Sequence, residues 1–310
     1  MAGRTGPGKP VAGSGRPLPV RPGTPAERPC ADSPGVRRPP SPGRAIRSGD
    51  VRIALVDSGI GMLSTAAALR AARPDADLIL SMDPDHMPWG PRSHDAVVAR
   101  VIAGAEAAAN VPGGAPDAVV VPCNTASVHG LVALRSRFEP EIPVIGTVPP
   151  IKPAAENGGH IAVWATVATT ASRYQSDLIE RYAPGGRATP VACVGLAEAV
   201  ESADPDRVAE AVAYAVERTP ADTRGVVLGC THYDLVDAEI SAALGGPRAL
   251  FTAAEAVAAQ ALRRIGAEPA PGAAPTGTLR VLASGRPSDL PKAALAYPAG
   301  QALAQGPMAD

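Results

Sequence analysis

The chain has 310 residues, 45% of them hydrophobic, which is enough for ordinary globular cores in about two domains. A formal net charge of −1 supplies no global attraction to nucleic acid or to a membrane surface. No apolar run approaches the roughly 18 residues that a membrane helix needs, and the N-terminus lacks the apolar core of a signal peptide, so a cytoplasmic protein with no membrane partner is expected. Residues 1–49 are rich in Pro, Gly, Arg and Ser with almost no large apolar side chains, so a disordered extension is expected there. Its arginines have no interleaved aromatic residues for base stacking, and a nucleic-acid partner is not expected.

Order is expected from Val51. VRIALV (51–56) is a β-branched run followed by Asp57, Ser58, Gly59, Ile60 and Gly61, then a helical stretch from Met62 to Ala72: strand, glycine-bearing turn, helix. The third glycine of a dinucleotide fingerprint would fall at Ser64, so that class of cofactor is disfavoured. DLILSM (77–82) predicts a strand leading into the loop that carries Pro88, Trp89 and Gly90. Val97, Val98, Val101, Ile102 and Ala105 recur at helical spacing within 93–110. DAVVVP (117–122) reads as a fully buried parallel strand, with Cys123 at its end and Asn124, Thr125 and Ser127 leading into a helix. IPVIGT (142–147) is the next strand, and Pro149-Pro150 marks a crossing between domains.

The second half repeats the plan. HIAVWAT (160–166) matches the pattern of the first strand, ATPVAC (188–193) predicts another, and 204–219 is a helix with an acidic start that suits its dipole. GVVLG (225–229) ends at Cys230, with Thr231 and His232 after it. A helix over 253–265, a Pro/Ala/Gly linker at 268–276, a short strand near Leu279–Leu282 and a tail helix complete the chain. The expected fold is α/β, with two similar domains of mainly parallel sheets flanked by helices and an active site in the cleft between them. The expected boundaries are a first domain of 50–147 plus about 253–298, a second of 148–252, and a tail of 299–310.

Four cysteines occur, Cys30, Cys123, Cys193 and Cys230, without a CxxC pair, and the histidines lack zinc-ligand spacing, so no metal site is expected. In a reducing compartment they are free thiols. Cys193, in an apolar run, reads as a small buried hydrophobe. Cys123 and Cys230, each alone, would read the same way, but both stand at matched strand ends. Two thiols facing each other across a cleft can remove an α-proton on one side of a carbon acid and return a proton on the other. Asp57 and His232 are the natural proton-handling partners, and Ser58, Asn124, Thr125 and Thr231 supply donors for carboxylates. The scheme requires no cofactor, and its substrate is a small molecule, a carbon acid of the amino acid type.

From about Val51 to Leu295 the chain resembles the glutamate racemases of the cofactor-independent aspartate/glutamate racemase superfamily. The resemblance rests on DSGIG (57–61), P-W-G (88–90), CNTAS (123–127), IPVIG (142–146), the Thr166/Thr169/Ser172/Tyr174 pattern and GCTHY (229–233). It implies Cys123 and Cys230 as the acid/base thiols, with Asp57, His232 and Glu201 as proton-handling residues. It further implies substrate contacts from Asp57, Ser58, Trp89, Gly90, Asn124, Thr125, Thr166, Thr231 and His232, and a product, D-glutamate, used in bacterial peptidoglycan. A homodimer is expected. The sequence departs from the family pattern at Met62, where a glycine is usual, at Trp89, where a tyrosine is usual, at 165–169, and at Val194 and Glu198, where prolines are usual. These departures bear on the substrate and leave two alternatives: a racemase of aspartate or another amino acid, and a catalytically weak binding or regulatory homologue.

Overall fold

The computed structural model describes residues 51–308 together with Gly3, so the extension expected over the first 49 residues, with Cys30, otherwise lies outside the described residues. The first half runs β1 (Arg52–Val56), α1 (Leu63–Ala72), β2 (Asp77–Met82), α2 (His94–Ala109), β3 (Ala118–Val121), α3 (Asn124–Phe138) and β4 (Val144–Gly146). The second runs α4 (Ile151–Glu156), β5 (His160–Ala165), α5 (Val167–Thr170), α6 (Arg173–Tyr182), β6 (Ala188–Ala192), α7 (Leu196–Ser202), α8 (Pro205–Glu217), β7 (Thr223–Leu228), α9 (Asp237–Leu244) and β8 (Ala249–Phe251). The chain then returns through α10 (Ala254–Ile265), β9 (Leu279–Ala283), β10 (Arg286–Ser288) and α11 (Pro298–Ala304).

Two sheets result. The larger has the order β10-β9-β2-β1-β3-β4 and the smaller β6-β5-β7-β8. All pairings are parallel except β10 with β9. The order β2-β1-β3-β4 in one sheet and β6-β5-β7-β8 in the other is the same winding used twice, the repeat expected from the sequence.

The strand sequences explain why both faces of each sheet are covered. Along β1, Ile53 and Leu55 pack with α1 and α10 residues such as Leu63, Leu69 and Val257, while Ala54 and Val56 pack with α2 and α3 residues such as Val97, Val101 and Leu134. β5 divides the same way. Ala162 and Trp164 join the cluster that contains Ile53 and Leu55, and Ile161 and Val163 face α4 and α6. One apolar core therefore runs continuously between the two sheets, and each sheet has a second core on its far side. Buried aliphatic side chains of this kind each stabilise by roughly 1.5–3 kcal/mol relative to exposure.

Caps set the helix starts. The Asp204 carboxylate accepts the N–H groups of Asp206 and Arg207 at 3.1 and 3.2 Å, with Pro205 at the first helical position where its missing N–H costs nothing. Ser93, Thr166 and Ser172 cap α2, α5 and α6 in the same manner. Several elements were not expected, among them α4, α7, α9, β8 and β10. α4 forms directly after Pro150, because Pro153 falls in its first turn, where no N–H is needed. β8 and β10 are three-residue edge strands, and the start of α7 is capped by Gly195, whose φ of +73° turns the chain sharply after β6.

Candidate active site

Parallel winding brings the C-terminal ends of β1, β3, β5 and β7 to positions where such sheets place ligands. β1 delivers Asp57 and Ser58, β3 delivers Cys123, β5 delivers Thr166, and β7 delivers Gly229 and Cys230. Asp57, Cys123, Cys230, Thr166 and His232 all line one cavity of about 140 Å³. That is below the roughly 300 Å³ at which pockets for drug-sized ligands begin, and it suits a small metabolite.

In the first half, Asp57 is 1% exposed. Burial raises its pKa to about 6, against the opposing pull of the His232 imidazolium and of hydrogen bonds from the Cys123 thiol and the Ser58 N–H. The Ser58 N–H donates to Asp57 Oδ1 at 2.6 Å. Cys123 is buried at the N-cap of α3, and burial together with the Asp57 charge pushes its thiol well above the ordinary range. A proton thus rests on the Cys123 and Asp57 side of the cavity.

In the second half, Cys230 is partly exposed and its Sγ lies 3.8 Å from His232 Nδ1. His232 Nε2 lies 2.8 Å from Glu201 Oε2. Burial by itself would lower the His232 pKa, but the hydrogen bonds and charges of Cys230 and Glu201 outweigh it and hold the imidazolium well above its usual value. Glu201 stands behind His232 and not on the cavity wall, and its Oε2 also accepts the Ile60 N–H at 2.9 Å.

Contacts across the two halves close the site. Asn124 Nδ2 donates to the Gly229 carbonyl at 2.8 Å, and Thr231 Oγ1 donates to Asp57 Oδ2 at 3.4 Å. The glycines of DSGIG are steric requirements of this junction. A Cβ at Gly61 would lie 2.6 Å from both His232 Nδ1 and Thr231 Oγ1, and one at Gly59 would collide with the Glu201 carboxylate. Met62, by contrast, is fully buried in the core that joins the sheets and does not reach the cavity.

The remaining expected contacts, Ser58, Trp89, Gly90, Asn124, Thr125 and Thr231, all line the cavity as well. Trp89 is 1% exposed and forms part of its wall. Cys193, expected as a buried hydrophobe, is buried, and it also borders the cavity, where desolvation first and the Cys230 charge second raise its thiol far above the ordinary range. Ala197, Glu198 and the α5 residues Val167, Ala168 and Thr169 complete the rim. Their signal in the sequence was the departure from the family pattern at 165–169 and 194–201. Among the described residues, no group of three or more His, Cys, Asp or Glu side chains is arranged to hold a metal ion.

Residues 59–261 match the family model described as Asp/Glu/Hydantoin racemase. The chain belongs to this racemase family. Relatives include the glutamate racemase of Roseiflexus sp. (strain RS-1), 40% identical over 66% of this chain and 76% of the relative, and that of Herpetosiphon aurantiacus, 37% identical over 70% and 86%. Among solved structures, Escherichia coli glutamate racemase in complex with L-glutamate and an activator, UDP-MurNAc-Ala, superposes with a TM-score of 0.66 at 28% identity, covering 79% of this chain and 92% of that one. The RacE1 isoform from Bacillus anthracis gives 0.62 at 29% identity, covering 74% and 87%. The racemase family thus accounts for the two-sheet architecture. No helix among the described residues is long and apolar enough to cross a membrane.

Proposed function

We propose that this chain interconverts L- and D-glutamate by a two-thiol acid/base mechanism. The observation that carries the reading is the delivery of Cys123 and Cys230 from two separate sheets to one cavity, each beside its own proton-handling partner. One thiolate removes the Cα proton and leaves a carbanion delocalised into the α-carboxylate. The opposing thiol then protonates the other face, and the C–H bond broken on one side is replaced by one on the other. Asp57 serves Cys123, and His232 serves Cys230. Glu201 acts through His232 by holding it charged and oriented. Ser58, Asn124, Thr125, Thr166, Thr231 and the Trp89-Gly90 segment bind the substrate's polar groups.

The names and bound ligands of the relatives supply the identity of the substrate, L-glutamate in the Escherichia coli structure among them. One observation favours a second reading. Among the described residues no lysine or arginine lines the cavity, and Glu198 does, so a second acidic group on the substrate meets a like charge at the rim. Of the alternatives, aspartate or another amino acid, this supports one with a neutral side chain, because aspartate carries the same second carboxylate as glutamate. The two are separated by incubating the protein with each enantiomer of glutamate, aspartate and a neutral amino acid and following both enantiomers by chiral chromatography. Convergence of L- and D-glutamate on equal amounts, faster than for any other pair, is the expected result. A faster aspartate or neutral pair would reassign the substrate.

The same reading carries several further proposals. The domain division is 50–147 with about 253–298 and then 148–252, supported by β8 completing the smaller sheet and by β9 and β10 extending the larger. The free thiols suit a reducing, cytoplasmic setting. A homodimeric state and the supply of D-glutamate to peptidoglycan are proposed with it.

A further inference from the structure

Asp83 follows the last residue of β2 and does not line the cavity, yet it gathers more donors than any residue that does. Its Oδ2 accepts from Arg100 Nε at 2.7 Å and from the Trp89 indole Nε1 at 3.0 Å. Oδ1 accepts from Arg100 Nη2 at 2.6 Å and from Ser284 Oγ at 2.8 Å, and faces His86 Nδ1 at 3.0 Å. Its backbone N–H reaches the Ser58 carbonyl at 3.2 Å. A carboxylate with 4% residue exposure that accepts this many hydrogen bonds is locked in one rotamer.

Besides the neighbouring His86, the partners come from three places in the fold. Arg100 is on α2, Trp89 is on the cavity wall, and Ser284 is in the turn between β9 and β10. Ser284 adopts a φ of +47°, a left-handed conformation that is unfavourable for a residue with a Cβ. Its N–H donates to the Met82 carbonyl at 2.8 Å and its hydroxyl also accepts the Asp85 N–H at 3.3 Å, so the strained turn is tied to the Asp83 segment through both its N–H and its hydroxyl. A second cavity of about 110 Å³ lies among Asp83, Arg100 and Ser284, and Asp57 and Trp89 border both cavities. Trp89 therefore borders both cavities, with its indole N–H held by Asp83.

We infer that Asp83, clamped by Arg100 and by the Ser284 turn, is a positioning residue for substrate binding that fixes the Trp89-Gly90 wall of the cavity. The inference rests on the racemase reading and extends it to the β9–β10 hairpin, which contributes no residue to the substrate cavity. Loss of the clamp lets the indole tilt into the second cavity and lowers the fit of the bound substrate. The thiols and their partners stay in place, so the chemical step is affected less than binding.

The test uses the full chain with Asp83→Asn, Ser284→Ala and Trp89→Phe. Asp83→Asn is expected to raise KM for glutamate about tenfold while kcat changes by less than about threefold, and Ser284→Ala to shift KM in the same direction by a smaller factor. In parallel, acrylamide quenching of Trp89, read as the difference between each protein and its Trp89→Phe counterpart, is expected to increase in both variants. A merely structural role would lower the melting temperature and leave KM and quenching unchanged, and that result would overturn the inference. If Asp83→Asn does not fold, Ser284→Ala alone decides, because it removes one donor outside the substrate cavity. If the parent protein does not racemise glutamate, the racemase reading fails by itself. The quenching comparison, which needs no turnover, then still supports the clamp if Trp89 becomes accessible and overturns it if Trp89 stays shielded.

Discussion

The two halves of the molecule use one winding to different electrostatic ends. β3 and β7 occupy the same place in their sheets, and each ends at a cysteine on the shared cavity. In the first half, Asp57 directly follows the neighbouring strand β1, and Cys123 caps a fifteen-residue helix. In the second, Thr166 follows β5, and the proposed proton partner lies instead two residues beyond the thiol, at His232, with Glu201 supplied by α7. The repeat places two thiols, and the departure from the repeat sets a carboxylate beside one and an imidazolium beside the other. The combination suits the proposed racemisation, in which at any moment one thiol must hold a proton while the other accepts one.

The largest effects should come from removing either end of that pair. Cys123→Ala and Cys230→Ala are each expected to lower the racemisation rate by about 10²–10⁴-fold, the range for loss of a general acid or base, as measured by optical rotation. A variant that turned over normally would return its cysteine to a packing role.

Next in size is Asp57→Asn, which separates activity from stability. Burial raises the folded-state pKa of Asp57 to about 6 from 3.8, so the native state holds this proton more tightly than the unfolded chain. As pH rises from about 4 to 6, the unfolded chain ionises first, and the group costs native stability, on the order of 2–3 kcal/mol above pH 6. The variant should therefore melt higher than the parent at pH 7, lose that advantage below about pH 4, and still be a poor racemase. A melting temperature at pH 7 lower than the parent's would contradict the burial argument.

Gly61→Ala should be comparably damaging, since its Cβ would fall 2.6 Å from His232 Nδ1 and Thr231 Oγ1. Both lower stability in thermal melts and lost activity are expected, with no such effect at Gly272, where a Cβ meets nothing within 4 Å.

The smallest effect is the most diagnostic of the asymmetry. Glu201→Gln removes a charge that holds the His232 pKa up, so the imidazolium should titrate at lower pH. The alkaline limb of kcat/KM should move toward neutrality, with a rate loss at its optimum of about tenfold or less. An unmoved limb would make Glu201 a packing and capping residue for the Ile60 N–H only.

Much of this was legible in the sequence because the strands buried on both faces are unbroken apolar runs, and their ends carry the polar residues. The helix over Pro205–Glu217 and that over Ala254–Ile265 differ from the expected 204–219 and 253–265 only at their ends. The cavity-lining set of Asp57, Ser58, Cys123, Asn124, Thr125, Cys230, Thr231 and His232 followed from strand ends and motif resemblance together. Three-residue strands such as Ala249–Phe251 and Arg286–Ser288 are too short for a period to show, and α4 was hidden by its prolines. The placement of Glu201 behind His232, joined to Ile60 across 141 positions, depends on how two sheets meet, and no local pattern encodes that. The Asp83 network is the same kind of feature, a turn 201 residues away completing a carboxylate's shell.

The central claim, two opposed thiols serving one α-carbon, is tested most directly by isotope exchange in deuterated water. Starting from L-glutamate with the thiols reduced, the first D-glutamate formed should carry deuterium at Cα while the remaining L-glutamate stays protiated, because abstraction and return use different thiols. Product without solvent deuterium, or deuterium entering substrate as fast as product, would mean a single group working both faces and would contradict the account.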